Sequence, residues 1–471
     1  MTMHNYLVVL PQAQIAAFNA ALLAAATDYG GTALVPISST RALLPIALWK
    51  RYAAAVPEAE ARALLRDTGV EHVEKVDDGW ALAAMQTRDA ADLAPRDIDE
   101  PAPEMDGGEA YDWHLIESNL PAAWQLVGGR DAIDWGDLRI GHLDTGFTRH
   151  PCFAWNGINS SILRLDLDHN FFPGDVAANP DTDFIVVDTE SAVDPMRRGA
   201  NPGHGTRTLG VLAGYDRSAP ARDYHGVAAS FAGFFGAAPR VPVVPVRIND
   251  SVFLDNVIAT ILPRAIDYLV DTAGVHVISL SMGAPHIPGP LNALRASPAL
   301  RAALANAYTR GVIFVCAAGN HIPNPDVVYP ARLAQTIAVG GSAPGALPWA
   351  HSSHGRAVDV CAPAWPIRRP DPRADGSFGY GWGDGTSFAT PQVAGAAALW
   401  LLYRRDDIAH TYTQPWQRVA AFRRLVKETA LPPPGWDTQG YGAGILDAHA
   451  LLTAPLPYPA TLSPETSGPD P

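Results

Sequence analysis

The feature that most constrains the fold is an alternation of short β-branched runs with longer helical segments from about Tyr111 to Leu452. The predicted strands are DLRIGHLD, VPVVPVRI, VHVISLSM, GVIFVCAA and AQTIAVGG. The segments between them, such as NVIATILPRAIDYLVDTAG and PALRAALANAYTRG, predict helices. Alternation of this kind predicts a three-layer α/β architecture, with a mostly parallel central sheet flanked by helices.

The chain divides into four regions by composition and pattern. Residues 1–88 predict a small α+β unit, with strands in NYLVVL and VEHVEKV and helices in QAQIAAFNAALLAAA and PEAEARALLRDTG. Residues 89–110 are acidic, contain Pro and Gly and lack periodicity, which predicts a linker that is also a plausible cleavage region. Residues 111–454 form the main domain, and the Pro-rich residues 455–471 predict a disordered tail.

Charge and hydropathy limit the partners and the location. The formal net charge is −14 and no Lys/Arg-rich run occurs, so neither nucleic acid nor a membrane is expected as a partner. No run of about 18 apolar residues is present. The apolar N-terminal stretch has no cation before Arg41 and is interrupted by Pro11, so it does not read as a signal peptide. We therefore expect a cytoplasmic location, with export by an unrecognised route as the alternative.

The cysteines give no disulfide framework. There are three of them, Cys152, Cys316 and Cys361. Cys316 and Cys361 lie in apolar, strand-like runs, so we expect buried thiols there and not reactive groups.

Three polar residues stand where predicted strands meet predicted helices. Asp144 ends the strand in IGHLDTG, His204 opens the helix in NPGHGTRTLGVLAG, and Ser387 lies at the start of the helix in GDGTSFATP. Taken singly, each has a structural interpretation as a turn residue, a loop residue or a helix N-cap. Together they supply an acid, a base and a hydroxyl at the edge of a parallel sheet where functional groups gather. His204 would take the proton of Ser387, and Asp144 would fix the imidazole tautomer.

Asn320 adds a fourth group. It ends the run FVCAAGN, after a predicted strand. Its side-chain amide and the backbone N–H of Ser387 are candidate donors to the oxyanion of a tetrahedral intermediate. A turn residue in the left-handed conformation is the alternative.

These motifs resemble those of the subtilisin-like serine proteases (subtilases, peptidase family S8), whose chain order is also Asp, His, Ser. The matching motifs are D-T-G at Asp144, H-G-T at His204, A-A-G-N through Asn320 and G-T-S-x-A-[ST]-P at Ser387. The resemblance covers about residues 111–452. It implies a subtilisin-like fold and a serine endopeptidase that works through an acyl-enzyme.

The chain departs from the family pattern at five positions. The family usually has H-G-T-H-V-A-G where this chain has HGTRTLG, and it usually has Met and His at two positions after the nucleophile. The residues in their places are Arg207, Thr208, Leu209, Phe388 and Gln392. None of these changes removes a group that does chemistry. A catalytically silent, peptide-binding protein of the same fold is the alternative. An α/β-hydrolase esterase is disfavoured, because its nucleophile lies in G-x-S-x-G and its chain order is Ser, acid, His.

The resemblance also implies how a polypeptide substrate would bind, as an added strand. The implied substrate-binding residues are Ser281, Met282, Gly283, Ala317, Ala318, Gly319 and Val328. Many family members have Gly where this chain has Val328. A branched side chain there would shorten the pocket for the residue before the scissile bond, so we expect small or medium apolar residues to be preferred at that position.

The predicted chemistry requires no cofactor, and a structural calcium is possible. Hard cations take oxygen ligands, and aspartates crowd one stretch of the chain: Asp166, Asp168, Asp175, Asp181, Asp183 and Asp188. A solvated acidic loop is the alternative. The unit at residues 1–88 faintly resembles the inhibitory propeptide of the family, and a separate recognition module is the rival interpretation.

Overall fold

The computed structural model describes the backbone of residues 4–9, 46–51 and 72–76. It describes fully residues 112–172, 191–196, 201–219, 232–254, 258, 260–286, 296–320, 325–373 and 376–465. Near the N-terminus, β1 (His4–Val9) pairs antiparallel with both β2 (Ile46–Arg51) and β3 (His72–Val76). β1 and β3 fall in the two predicted strand runs, whereas β2 lies where no strand is expected. The two predicted helices of this unit and the linker at 89–110 lie outside the described residues.

The main domain contains short strands and helices in alternation. Its strands are β4 (Ile140–Asp144), β5 (Trp155–Asn156), β6 (Asn159–Ser160), β7 (His169–Asn170), β8 (Tyr215–Asp216), β9 (Phe234–Phe235), β10 (Val243–Arg247), β11 (Val277–Leu280), β12 (Ile313–Ala317), β13 (Ile337–Ala343), β14 (Leu347–Pro348), β15 (Val360–Pro363), β16 (Ile367–Pro372) and β17 (Phe378–Gly383). Its helices are α1 (Trp113–Glu117), α2 (Leu120–Leu126), α3 (His204–Ala213), α4 (Ile261–Asp267), α5 (Pro298–Thr309), α6 (Thr386–Tyr403), α7 (Arg405–Thr411), α8 (Pro415–Glu428) and α9 (Ala448–Thr453). One π-helical stretch, Tyr268–Thr272, continues α4.

A central sheet of eight strands organises the described part of the domain. Its order is β14-β13-β12-β11-β4-β10-β7, and β15 also pairs with β13. The β13–β14 pair is antiparallel, and the other pairs are parallel. The mostly parallel sheet of the sequence analysis is therefore confirmed, and the five predicted runs contain β4, β10, β11, β12 and β13.

The strands are buried on both faces, which explains their continuous Val- and Ile-rich character. Successive side chains of a strand point to opposite faces. Ile140 accordingly packs in the core on the side of α3, α6 and α8, whereas Leu143 packs in the core on the side of α4 and α5. Two apolar cores thus separate the three layers, as predicted.

Three further expectations can be compared with the structure. Cys316 and Cys361 are buried free thiols, as expected, and so is Cys152. Among the described residues, no helix is long and apolar enough to cross a membrane. The C-terminal tail differs from the expected disorder over residues 455–465, where Tyr412 Oη donates to the Pro457 carbonyl at 3.0 Å and the Glu465 N–H donates to Tyr308 Oη at 3.0 Å. The reason is that Leu456 and Leu462 pack against the core and Pro457 is buried. Residues 466–471 lie outside the described residues.

Candidate active site

The three polar residues meet at the carboxyl edge of the sheet. Asp144 is the last residue of β4, His204 is the first residue of α3, and Ser387 is the second residue of α6. The two helices pack against each other. Gly203 precedes His204 with φ +75°, a left-handed conformation that favours glycine and turns the chain into α3.

Asp144 and His204 form a buried hydrogen-bonded pair. His204 Nδ1 lies 2.7 Å from Asp144 Oδ1, and the backbone N–H of Thr145 donates to the same oxygen at 2.7 Å. Because a carboxylate only accepts, the imidazole proton resides on Nδ1 and leaves the lone pair on Nε2. Burial raises the pKa of Asp144, but the charge and the hydrogen bond of His204 outweigh it, so the pKa lies below its ordinary value. The pair therefore presents a base with an oriented accepting nitrogen.

Ser387 hydrogen-bonds to the backbone of Ser281 in this state. Its hydroxyl donates to the Ser281 carbonyl at 3.1 Å, and Ser281 Oγ donates to the Ser387 carbonyl at 2.9 Å. Nε2 of His204 is buried and has no hydrogen-bond partner among the described residues. The structure thus brings Asp144 and His204 together and places Ser387 on the adjoining helix end, without a hydrogen bond from Ser387 to His204.

Asn320 is oriented by Thr386. Its Oδ1 accepts from the Thr386 N–H at 3.0 Å and from Thr386 Oγ1 at 2.8 Å. Because a backbone N–H can only donate, these contacts fix which amide atom is oxygen and direct Nδ2 the other way. A Cβ on Gly385 would lie 3.2 Å from that Nδ2, so the free amide donor stands at the start of α6. No sequence motif indicated this contact between Thr386 and Asn320.

The expected substrate-binding residues line two neighbouring chain segments. Ser281, Met282 and Gly283 follow β11, and Ala317, Ala318 and Gly319 end and follow β12. The Met282 side chain is buried in the core on the α4 side.

Val328 stands between these two segments. A Cβ on Gly283 would lie 2.3 Å from Val328 Cγ2, and one on Gly319 would lie 2.7 Å from Val328 Cγ1. The isopropyl group therefore fills the space between the two glycine backbones, and a larger side chain at either glycine would collide with it.

Asp194 is a buried acid that the sequence analysis missed. It accepts from Thr145 Oγ1 at 3.0 Å, from the Gly203 N–H at 2.7 Å and from the Met196 N–H at 2.8 Å. Burial raises its pKa, and these hydrogen bonds oppose the rise. Because Thr145 follows Asp144 and Gly203 precedes His204, Asp194 ties the turn after β4 to the start of α3. No motif marks Asp194, since its contact with Thr145 is made across 49 residues of chain.

The aspartate-rich stretch gives no metal site within the described residues. Asp166 pairs with Arg164, at 2.8 Å and 2.5 Å, and Asp168 accepts from Ser191 Oγ and the Ala192 N–H, both at 2.8 Å. Asp175, Asp181, Asp183 and Asp188 lie outside those residues. No group of three or more His, Cys, Asp or Glu side chains suited to a metal occurs in the described part of the chain.

Comparisons with known proteins give the family and the fold of the chain. The model of the "Subtilase family" matches residues 136–444. An alkaline protease of Alkalihalobacillus alcalophilus is 25% identical over 88% of this chain and 97% of its own length. Subtilisin Savinase of Lederbergia lenta is 27% identical over 73% of this chain and 98% of its own length. The crystal structure of fervidolysin from Fervidobacterium pennivorans shares the fold, with a TM-score of 0.62 and 19% identity over 97% of this chain and 62% of that one.

The comparisons contradict the expected cytoplasmic location. A relative from Xanthomonas campestris pv. campestris, 28% identical over 85% of this chain and 63% of its own length, is named an extracellular protease. The expectation was wrong because it rested on the apolar pattern near residue 1, and that pattern carries no information about the folded domain that the relatives share. With the family model matched across β4, α3, β12 and α6, the chain belongs to the subtilase family and is a serine endopeptidase.

Proposed function

We propose that this protein hydrolyses peptide bonds with Ser387 as nucleophile, His204 as general base and acid, and Asp144 as the group that orients His204. The observation that carries the proposal is the buried His204–Asp144 pair, 2.7 Å apart, whose Nε2 has no hydrogen-bond partner among the described residues. Such a nitrogen is ready to take a proton.

The reaction follows from these positions. Ser387 Oγ attacks the substrate carbonyl carbon as its proton passes to His204 Nε2, and the C=O electrons move onto oxygen. Asn320 Nδ2 and the Ser387 N–H donate to that oxyanion at the positive end of α6. Collapse breaks the C–N bond, and His204 returns the proton to the leaving amine. Water then hydrolyses the acyl-enzyme through the same steps.

The hydrogen bond from Ser387 to Ser281 suggests how substrate completes the site. A substrate strand added beside β11, as the family resemblance implies, would place its own N–H against the Ser281 carbonyl. That carbonyl now accepts from Ser387 Oγ at 3.1 Å. If a substrate N–H took the place of Ser387 Oγ at the Ser281 carbonyl, the Ser387 hydroxyl would be released to turn toward His204. Apo enzymes often have such loose catalytic hydrogen bonds, which tighten in the substrate complex.

The position of Val328 supports a narrow specificity pocket. Its two methyl groups fill the space between Gly283 and Gly319. We infer a preference for small or medium apolar residues before the scissile bond, and a cleavage profile dominated by Phe or Tyr there would contradict it.

The alternative function is peptide binding without catalysis. The absence of a Ser387–His204 hydrogen bond among the described contacts favours it. A fluorophosphonate probe, which forms a covalent bond only with an activated serine, separates the two functions. We expect label on the wild type and on Ser463→Ala, an exposed control, and none on Ser387→Ala or His204→Ala. An unlabelled wild type that still binds peptides would establish the alternative.

We further propose that residues 1–88 act as a propeptide of an exported enzyme. The match to the alkaline protease spans 88% of the chain, more than the residues after 110 could supply, and β1 lies beside α5. We expect cleavage between residues 89 and 112 in the wild type and not in Ser387→Ala, read by mass spectrometry. An intact and fully active wild type would refute the propeptide.

The proposed chemistry uses protein groups alone. A structural calcium stays a prediction. Comparing the unfolding temperature in calcium with that in a chelator tests it.

A further inference from the structure

Behind Asp144 lies a second pair of polar side chains that the proposed reaction does not use. His142 is two residues before Asp144 on β4, so both side chains lie on one face of the strand. Thr208 is four residues after His204 on α3, so both lie on one face of the helix. His142 is 1% exposed and Thr208 is fully buried. Such positions in a core are ordinarily apolar, and the family resemblance implies Val where this chain has Thr208.

The two side chains contact the carboxylate oxygen that faces away from His204. Thr208 Oγ1 lies 3.1 Å from Asp144 Oδ2, and His142 Nε2 lies 2.9 Å from Thr208 Oγ1. His142 Nε2 is itself 3.8 Å from Asp144 Oδ2. The hydroxyl therefore stands between the second histidine and the acid.

Hydrogen-bond capacity decides where the protons lie. Asp144 Oδ1 accepts hydrogen bonds from His204 Nδ1 and from the Thr145 N–H. In the described part of the chain, Thr208 is the hydrogen-bond donor to Oδ2. The Thr208 hydroxyl could instead donate to the carbonyls of His204 or Gly205, both at 3.2 Å. That choice would leave a buried anionic oxygen without its donor, which costs more than an unmade bond to a neutral carbonyl. The proton of Thr208 thus points to Asp144, and its oxygen accepts from His142 Nε2–H.

We propose that His142 and Thr208 are positioning residues that act on catalysis through Asp144. His142 donates to Thr208, Thr208 donates to Oδ2, and the carboxylate is held with Oδ1 aimed at His204 Nδ1. The inference rests on the proposed triad and extends it by two groups from β4 and α3.

The protonation of His142 is consistent with a donor that stays neutral. Burial lowers the pKa of His142 to about 4, the charge of Asp144 opposes this shift, and the charge of His204 adds to it. Among the described residues, the titratable groups whose charges act on His142 are Asp144 on its own strand and His204 on α3. At neutral pH His142 is therefore uncharged, so it adds a hydrogen-bond donor to the site without adding a positive charge that would repel protonated His204.

Steady-state kinetics on variants of Thr208 and His142 test this relay, the chain of hydrogen bonds from His142 through Thr208 to Asp144. Thr208→Val keeps the volume and removes the hydroxyl, and Thr208→Ser keeps the hydroxyl. We expect kcat to fall about 10- to 100-fold in Thr208→Val, the range for a lost hydrogen bond to a charged group. KM should stay within about twofold, because Thr208 is placed behind Asp144 and not against substrate. Thr208→Ser should recover most of the loss.

The pH–rate profile separates positioning from packing. The acidic limb of kcat/KM reports the essential base, His204. Without the Thr208 donor, the charge on Asp144 stabilises protonated His204 more strongly, so this limb should move to higher pH in Thr208→Val and stay in place in Thr208→Ser. A purely structural role would change the unfolding temperature and leave the limb in place.

His142 gives the second arm of the test. His142→Leu should lower kcat, His142→Gln should retain most of it through its amide donor, and His142→Leu should add nothing in a Thr208→Val background. If Thr208→Val does not fold, the two His142 variants decide, and equal kcat in both overturns the relay. Wild-type kcat and pH limb in Thr208→Val would also overturn it, with the proposed function intact. A wild type that neither cleaves peptides nor takes the fluorophosphonate label would instead refute the proposed function.

Discussion

Thr386 orients Asn320, the residue proposed to donate to the oxyanion. Its backbone and its hydroxyl both donate to Asn320 Oδ1, while its hydroxyl oxygen accepts from the Gly319 N–H at 3.2 Å. These contacts hold the amide with its donor free. A group held in this way needs no reorganisation when charge develops on the substrate oxygen.

Replacing Asn320 tests this arrangement. We expect Asn320→Ala to lower kcat about 100- to 1,000-fold with KM nearly unchanged, the size of effect that loss of such a donor has in subtilisin. Asn320→Asp is the matched control for shape, and it should be as damaging because it replaces a donor by an acceptor. An unchanged kcat in Asn320→Ala, measured with a peptide substrate, would remove Asn320 from the oxyanion site.

Val328 gives a second prediction at this scale. Val328→Gly removes the side chain between Gly283 and Gly319. The ratio of kcat/KM for a Phe substrate to that for an Ala substrate should rise about 10- to 200-fold, as expected for methylene-sized changes in a pocket. Val327→Ala, at a neighbouring buried position in the core on the α4 side, is the control that changes packing without opening the pocket. The same ratio in Val328→Gly and wild type would show that Val328 does not limit the pocket.

At the scale of elements, the first turns of α6 lack one helical hydrogen bond, and a side chain from outside the helix replaces it. Pro391 lies inside the helix and has no N–H to donate to the Ser387 carbonyl four residues earlier. Ser281 Oγ donates to that carbonyl instead, at 2.9 Å. The proline thus joins the start of α6 to the end of β11, the two elements that a substrate strand would touch.

The helix α3 packs closely against the hairpin of β16 and β17. A Cβ on Gly210 would lie 2.1 Å from Cγ of Pro370, a rigid ring. We expect Gly210→Ala to lower the free energy of unfolding by about 1–3 kcal/mol through overpacking. It should also lower kcat, because His204 begins the same helix.

Gly379→Ala in β17 is the matched control, since its Cβ would meet nothing nearer than 3.9 Å. It should have nearly the wild-type free energy of unfolding in urea. Equal free energies of unfolding for the Gly210 and Gly379 variants would mean that the hairpin can move away from the helix without loss of stability.

At the scale of the whole molecule, the described core contains histidines whose burial couples folding to pH. Burial lowers the pKa of His142 to about 4 and that of His114 to about 3, and the charge of Arg368 adds to the effect at His114. Both values lie below 6.5, the ordinary value, so the unfolded chain binds more protons than the folded chain at acidic pH.

The consequence is a loss of stability on acidification. The contribution of these neutral histidines to the free energy of unfolding is complete above pH 6.5. It is lost as the pH falls toward 4 for His142 and toward 3 for His114. The slope is about 1.4 kcal/mol per pH unit for each histidine. Urea unfolding at pH 7 and pH 5, in a Ser387→Ala parent that cannot digest itself, measures it.

We expect His114→Leu to reduce the difference between the two pH values. His351→Leu, at an exposed position, should keep the difference seen in the parent. A parent with equal stability at pH 7 and pH 5 would show that neither buried histidine controls acid unfolding.

Local pattern was enough for much of the fold. The strands β4, β10, β11, β12 and β13 lie in runs whose β-branched residues are buried on both faces, and the helix α5 lies in the predicted helical run PALRAALANAYTRG. Disorder was the wrong prediction for the segment 455–465. Proline content describes the chain itself and not the surface against which the chain packs. β2 was missed for a similar reason, since its pairing with β1 joins residues far apart in the chain.

The sequence by itself determined the α/β class and the family resemblance, and it proposed Asp144, His204, Ser387 and Asn320 as site residues, because short motifs mark each local junction of strand and helix. Only the tertiary structure decided that Thr386 orients Asn320, that Asp194 joins the turn after Asp144 to the loop before His204, and that His142 and Thr208 stand behind Asp144. The physical reason is that hydrogen bonds act over about 3 Å in space, whatever the separation along the chain. Parallel strands bring distant residues to one edge of the sheet, where these partners meet.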